Sequence, residues 1–195
     1  MKNSTRTTQV RLAAAAAAIV AALSLFGPAA GVRSGVSVAQ ASGVEPLIPT
    51  RVIIEKIGVD AAIEPVGPSN KLIGNGAVEW AASKDSKVGW HDYSGRLGEG
   101  ANIVLNGHNN ICGAVFRKLY TLQIGDQVRL SAGSAERVYV VAEVRRVLER
   151  GQPLKVRIRN AEPIQLMRDD RLTLVSCWPE TGNSHRVIVI AKPAL

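Results

Sequence analysis

The chain has 195 residues, 46% hydrophobic and only 4% aromatic, with 24 Lys and Arg against 16 Asp and Glu, for a formal charge of +8. That length holds one ordinary domain and a terminal appendage. Four of the positive charges, Lys2, Arg6, Arg11 and Arg33, fall before the first acidic residue, Glu45, which leaves +4 for the rest of the chain. So small an excess, with tryptophans and tyrosines scattered rather than set along a basic stripe, argues against nucleic-acid binding.

At the N-terminus, Lys2, Arg6 and Arg11 precede an uncharged run from Leu12 to Val32. A basic flank before an apolar segment is the pattern of a secretory signal or of a membrane anchor with its basic end in the cytoplasm. Leu12 to Val32 reaches the roughly 20 residues that a helix needs to cross the hydrocarbon. Ala39-Gln-Ala41 has the small-residue form of a cleavage site but lies beyond Arg33. The expected organisation is a tail and anchor helix over 1–33, a tether over 34–49 and a folded domain over 50–195, exported, with a single pass through the cell membrane.

From Arg51 onward, short β-branched runs alternate with turn residues. The expected strands are 52–57, 62–63, 77–80, 101–105, 127–130, 137–144, 172–175 and 187–190. Turns at Gly67-Pro68, Gly74-Asn75-Gly76, Gly98, Gly125-Asp126, Gly133 and Gly182-Asn183 separate most of them. Eight short strands with few helical patterns predict a mainly β protein built as a closed or nearly closed barrel. Helical signals are short: Val115–Tyr120 for about two turns, and Ala161–Met167 for about one more. The basic stretch Arg145, Arg146, Arg150, Lys155, Arg157 and Arg159 alternates in the manner of a solvated strand face.

Three residues carry chemistry. Ile103-Val-Leu-Asn-Gly-His108 delivers an imidazole to the end of a strand, Arg171-Leu-Thr-Leu-Val-Ser-Cys177 delivers a thiol, and Arg186 opens the run Val187–Ala191. If the last two runs are antiparallel neighbours, Cys177 and Arg186 flank the base of the loop between them. A thiolate is the nucleophile, an imidazole moves its proton, and a guanidinium stabilises an anion. His108 is therefore the candidate base and acid, Cys177 the nucleophile, and Arg186 the anchor for substrate or oxyanion. Each alone has an ordinary structural explanation, as a buried thiol, a turn histidine or a strand-end arginine.

Together these segments resemble the sortases. Thr173-Leu-Val-Ser-Cys177, His185-Arg-Val-Ile-Val-Ile-Ala191 and Leu105-Asn-Gly-His108 stand in that family's order and spacing, and Leu119–Asp126 is similar to the segment that follows the family's histidine. The resemblance implies an eight-stranded barrel with one or two short helices behind an N-terminal apolar helix. It implies a membrane-tethered cysteine transpeptidase with catalytic His108, Cys177 and Arg186; no residue is assigned to a cofactor or a metal. The implied partners are surface proteins bearing a Leu-Pro-x-Thr-Gly-like signal, an amine acceptor (a cell-wall precursor or a pilin lysine), and the membrane.

Three alternatives stay open at this point. His108, Cys112, Cys177 and His185 are four possible zinc ligands, though without the short ligand pairs of structural sites. The same residues with water as acceptor make a thiol hydrolase or peptidase. A barrel in which Cys112 and Cys177 are oxidised to a disulfide is a binding module without catalysis. Asp169-Asp170 is similar to the acidic residues at the calcium sites of some sortases, although two neighbouring carboxylates are ordinarily a solvated turn.

Overall fold

A computed structural model describes residues 45–72 and 78–195. The expected anchor helix and cleavage site, and most of the tether, lie outside the described residues, as does the turn at Gly74–Gly76. Among the described residues no helix is long and apolar enough to cross a membrane.

Eight strands close into a barrel: β1 (Arg51–Ile54), β2 (Val59–Val66), β5 (Val88–His91), β6 (Asn102–Asn106), β9 (Arg171–Trp178), β10 (His185–Pro193), β8 (Ala135–Leu148) and β7 (Gln127–Ala132), in that order around the wall. β3 (Pro68–Leu72) and β4 (Val78–Trp80) pair only with each other, outside the barrel. The barrel has the expected eight strands, but its membership differs and two further strands lie outside it. Of the run expected at 77–80, Val78–Trp80 belongs to the outer hairpin, and Val88-Gly-Trp-His91 takes the place in the wall. All four residues of β5 are buried, so the alternation that marks a half-exposed strand is missing there. Gly89 is required in it, because a Cβ at that position would stand 2.4 Å from Asn106 Oδ1.

Apolar residues at alternate positions face inward. Leu105 pairs with Leu174, and Leu174 with Val189, so three adjacent strands give one layer of a core in which each of these side chains is fully buried. A buried leucine contributes about 2 kcal/mol or more by removal of apolar surface from water. Val104, Thr173, Ile188 and Ile190, pointing the other way, are buried as well. This outer face is covered by neighbouring loops: Thr173 Oγ1 donates to Asn102 Oδ1 at 2.8 Å, and Asn102 Nδ2 donates to the carbonyls of Pro163 and Gln165 at 2.9 and 3.0 Å.

The helical expectations need correction. Val115–Tyr120 does not form two α-helical turns; it holds turns flanked by 3-10 segments at Cys112–Ala114 and Leu119–Thr121. Phe116 and Leu119 still enter the core, while Tyr120 is largely exposed. Ala161–Met167 contains one 3-10 turn, Glu162–Ile164. The α-helix, α1 (Leu154–Asn160), falls in the basic stretch read as a strand face. Arg145 and Arg146 do lie on β8, but Lys155, Arg157 and Arg159 are helical, with Pro153 opening the helix.

Candidate active site

Strand direction decides which side chains meet. β6 and β9 run parallel, so both end at the same rim of the barrel, and β10, antiparallel to β9, begins there. The β6–β9 register ends with Asn106 opposite Val175. It is extended by the Gly107 N–H, which donates to the Val175 carbonyl at 3.1 Å. Ser176 Oγ, buried, donates to the Gly107 carbonyl at 2.9 Å. The two residues before the thiol thus hold the backbone that carries His108.

On the other side Cys177 is the direct register partner of Arg186. Side chains of such antiparallel pairs leave the sheet on the same face, with Cβ atoms about 4.5–5.5 Å apart. That face is the outer one, shared with Val175 and Ile188. His108, Cys177 and Arg186 all line one cavity of about 660 Å³. The connection from β8 to β9 roofs it with Leu154, Ile158, Ala161 and Ile164. A volume of that order accommodates an extended segment of a few residues against apolar walls.

The loop bearing His108 is fixed by its own backbone and by the loop after Cys177. The His108 carbonyl accepts from the Phe116 N–H at 2.9 Å. A Cβ on Gly107 would stand 2.7 Å from the Phe116 ring and 2.8 Å from Val115 Cγ1, so only glycine allows this close return of the chain. Asn110 Nδ2 donates to the Glu180 carbonyl at 2.7 Å, and Arg117 pairs with the Glu180 carboxylate at 3.3 Å. The structure therefore brings all three sequence-predicted residues to one cavity.

Along one wall of the cavity runs a polar chain that the sequence reading did not single out. Asn106 Nδ2 donates to the Ala81 carbonyl and to His91 Nε2, both at 2.9 Å. His91 Nδ1 faces Tyr93 Oη at 3.4 Å, and Tyr93 Oη donates to the Ile164 carbonyl. This order makes His91 the Nδ1–H tautomer, neutral. Burial pushes its pKa down to about 4, consistent with a ring that accepts at Nε2. The chain links the end of β6 to the roof of the cavity. Asn106 was visible in Leu105-Asn-Gly-His108; His91 was not, because nothing marked Val88–His91 as a strand.

A match to the family model described as the sortase domain spans residues 52–194. The chain belongs to the sortase family. Its members are cysteine transpeptidases, in keeping with a thiol, an imidazole and a guanidinium on one cavity. The barrel is similar to sortase C1 from Streptococcus agalactiae (TM-score 0.55, 21% identity, covering 75% of this chain and 67% of that one). It is similar also to a lid mutant of sortase A from Corynebacterium diphtheriae (0.56, 19%, 80% and 74%). A third likeness is to a Clostridium perfringens sortase D5 transpeptidase (0.54, 23%, 78% and 82%). At these identities the likeness is one of fold. No curated protein matches the chain.

Cys177 and Arg186 share one face of the β9–β10 ladder, whereas His185 pairs with Trp178 on the other. There the Trp178 ring meets His185 edge-on at 5.4 Å and carries the Arg146 guanidinium at 5.4 Å. Cys177 and His185 therefore diverge, and among the described residues no three His, Cys, Asp or Glu side chains group to hold a metal ion. Both cysteines are free thiols. Asp169 is engaged by Arg171 at 2.9 Å and Lys192 at 2.6 Å, and Asp170 by Arg137 at 2.7 Å, so three cations already answer these two carboxylates.

Proposed function

We propose that this sortase cleaves a Leu-Pro-x-Thr-Gly-like sorting signal through a thioacyl intermediate on Cys177 and passes the acyl group to an amine. The observation that carries this reading is the shared cavity, with Cys177 directly opposite Arg186 and His108 two residues past the last β6–β9 register pair.

The steps follow from the side chains. The Cys177 thiolate attacks the threonine carbonyl carbon, and the carbonyl electrons move onto oxygen. Arg186, permanently charged and rich in donors, stabilises that oxyanion or holds the neighbouring substrate backbone. The C–N bond to glycine breaks as His108 gives its proton to the leaving amine, leaving a thioester on Cys177. An acceptor amine then attacks the thioester, His108 takes its proton, the C–S bond breaks and a new amide leaves. Apolar roof residues such as Leu154 and Ile158 suit the leucine and proline of such a signal.

The acceptor, by this reading, is a cell-wall precursor or a pilin lysine, and the enzyme attaches or polymerises surface proteins. The run Leu12–Val32 supports an exported enzyme held at the cell membrane by one pass.

Intact-mass analysis of the reduced protein with Leu-Pro-x-Thr-Gly peptides tests the core of the proposal. The expected result is an adduct that maps to Cys177, is discharged by an added amine to a ligated peptide, and is absent in Cys177→Ala. Hydrolysis that an amine never diverts would make the enzyme a thiol peptidase instead, and the absence of an adduct with every peptide would reject the acyl donor.

A further inference from the structure

Two cavities meet at the thiol, and they differ in chemistry. Beside the apolar one lies a second, of about 430 Å³, which also reaches Cys177 and Arg186. Its walls are polar: Glu149, Arg150, Gln152, Arg157 and Asn183. It sits between the start of the β8–β9 connection and the β9–β10 loop, whose backbones are joined by the Glu149 and Arg150 N–H groups donating to the Ser184 carbonyl, both at 2.9 Å.

The charges in this pocket do not cancel. Glu149 is matched by Arg157, whose Nε donates to it at 2.9 Å, and by Asn160 Nδ2 at 2.9 Å. Arg150 has no carboxylate partner among the described residues, and Arg186 donates only to the His185 carbonyl, at 3.3 Å. The carboxylate of the loop opposite, Glu180, is drawn away by Arg117. Two guanidiniums are left facing the pocket. Asn183, held in the left-handed region at φ 52°, adds a buried Oδ1 with no hydrogen-bond donor.

An acyl transfer needs two substrates at one carbon. If the acyl donor fills the apolar cavity, the polar pocket is the remaining approach to the thioester. We propose that it is the acceptor's subsite and selects an amine that carries a carboxylate on the same or the neighbouring carbon. The inference rests on the transpeptidase reading above.

The chemistry fits in both directions. A bare alkylammonium entering between Arg150 and Arg186 meets like charge, which disfavours its approach and sets aside the pilin lysine of the two acceptors given above. A carboxylate beside the amine meets the Arg150 guanidinium, a charge-assisted and geometrically specific partner. The neutral amine then attacks the thioester carbonyl; the N–C bond forms, the C–S bond breaks, the amine proton passes to His108 and the thiolate is regenerated.

The test compares glycine with glycinamide as acceptors for the Cys177 acyl-enzyme, reading each ligated product by mass. The glycine-to-glycinamide ratio in the wild-type enzyme is divided by the same ratio in Arg150→Gln, so the intrinsic difference between the two amines cancels. Arg150 is exposed, and the substitution leaves the core untouched. The expected quotient is about tenfold, the size of one charged hydrogen bond, with a larger shift in Arg150→Glu. In the wild-type enzyme alone, the ratio should also fall as ionic strength rises. A quotient near one, or a ratio indifferent to salt, overturns the proposal while leaving the transpeptidase intact. An enzyme that forms no acyl-enzyme at all would instead overturn the reading beneath it.

Discussion

The β6–β9–β10 wall and the β8–β9 connection above it border the same cavity and are built on opposite terms. The wall is laddered on both sides, and its alternate residues Leu105, Leu174 and Val189 are fully buried. The connection, residues 149–170, has one short helix and leaves Ile158 and Leu166 about 60% exposed (61% and 59%). It is held mainly by polar contacts: Glu149 with Arg157 and Asn160, and Asn102 with the carbonyls of Pro163 and Gln165. The lesson is a division of labour. Groups that must be positioned to a fraction of an ångström stand on the wall, and groups that meet a variable substrate stand on a segment with little apolar anchorage.

This contrast can be broken by substitution. Leu174→Ala in the wall should lower unfolding free energy by about 3 kcal/mol, within the range for a buried leucine that leaves a cavity, measured by denaturant titration. Comparable losses from Leu174→Ala and Ile158→Ala would erase the distinction.

The next effect is pH dependence in the polar chain along the cavity. His91 is 2% exposed, and burial lowers its folded pKa to about 4, below the ordinary value of 6.5. Below about pH 6.5 the unfolded chain binds a proton that the folded one does not, so stability is full above that pH and falls as pH drops toward 4. The expected loss attributable to His91 is on the order of 2–3 kcal/mol at the acid end. His91→Gln, which keeps an acceptor for Asn106, should flatten the slope between pH 6.5 and 4; an unchanged slope would show that the folded ring takes up its proton freely.

A smaller effect is expected from Ser176→Ala. Loss of its hydrogen bond to the Gly107 carbonyl should cost about 1 kcal/mol of stability. If the hydroxyl positions His108, kcat for acylation should fall while KM for the peptide stays, with recovery in Ser176→Thr. A variant that loses stability but no activity would reduce Ser176 to a structural role. Ile158→Ala, at the exposed roof, should change stability by less than about 0.5 kcal/mol and raise KM instead.

The same contrast explains what could be read from the sequence. β9 and β10 were legible because Leu172–Val175 and Val187–Ile190 are unbroken β-branched and leucine runs, and their adjacency then places Cys177 against Arg186. His108 was legible as the residue ending the next such run. β5 was not, since a strand buried on both faces and containing Gly89 has no period to detect. α1 was missed because Lys155, Arg157 and Arg159 alternate like a strand face, while Leu154 and Ile158, four apart, turn toward the cavity. Ser176 is visible as the residue before Cys177, but its partner across the parallel β6–β9 pair is a tertiary fact that no local pattern encodes.

The central claim is that His108, Cys177 and Arg186 act as one site. It is tested most directly by single-turnover acylation of Cys177 in His108→Ala, Arg186→Ala and the double variant. Each single change should slow acylation by about 10²-fold or more, and the double variant should be far less impaired than the product of the two. Fully multiplicative losses would mean that the two residues contribute independently, and the single-site account would fail.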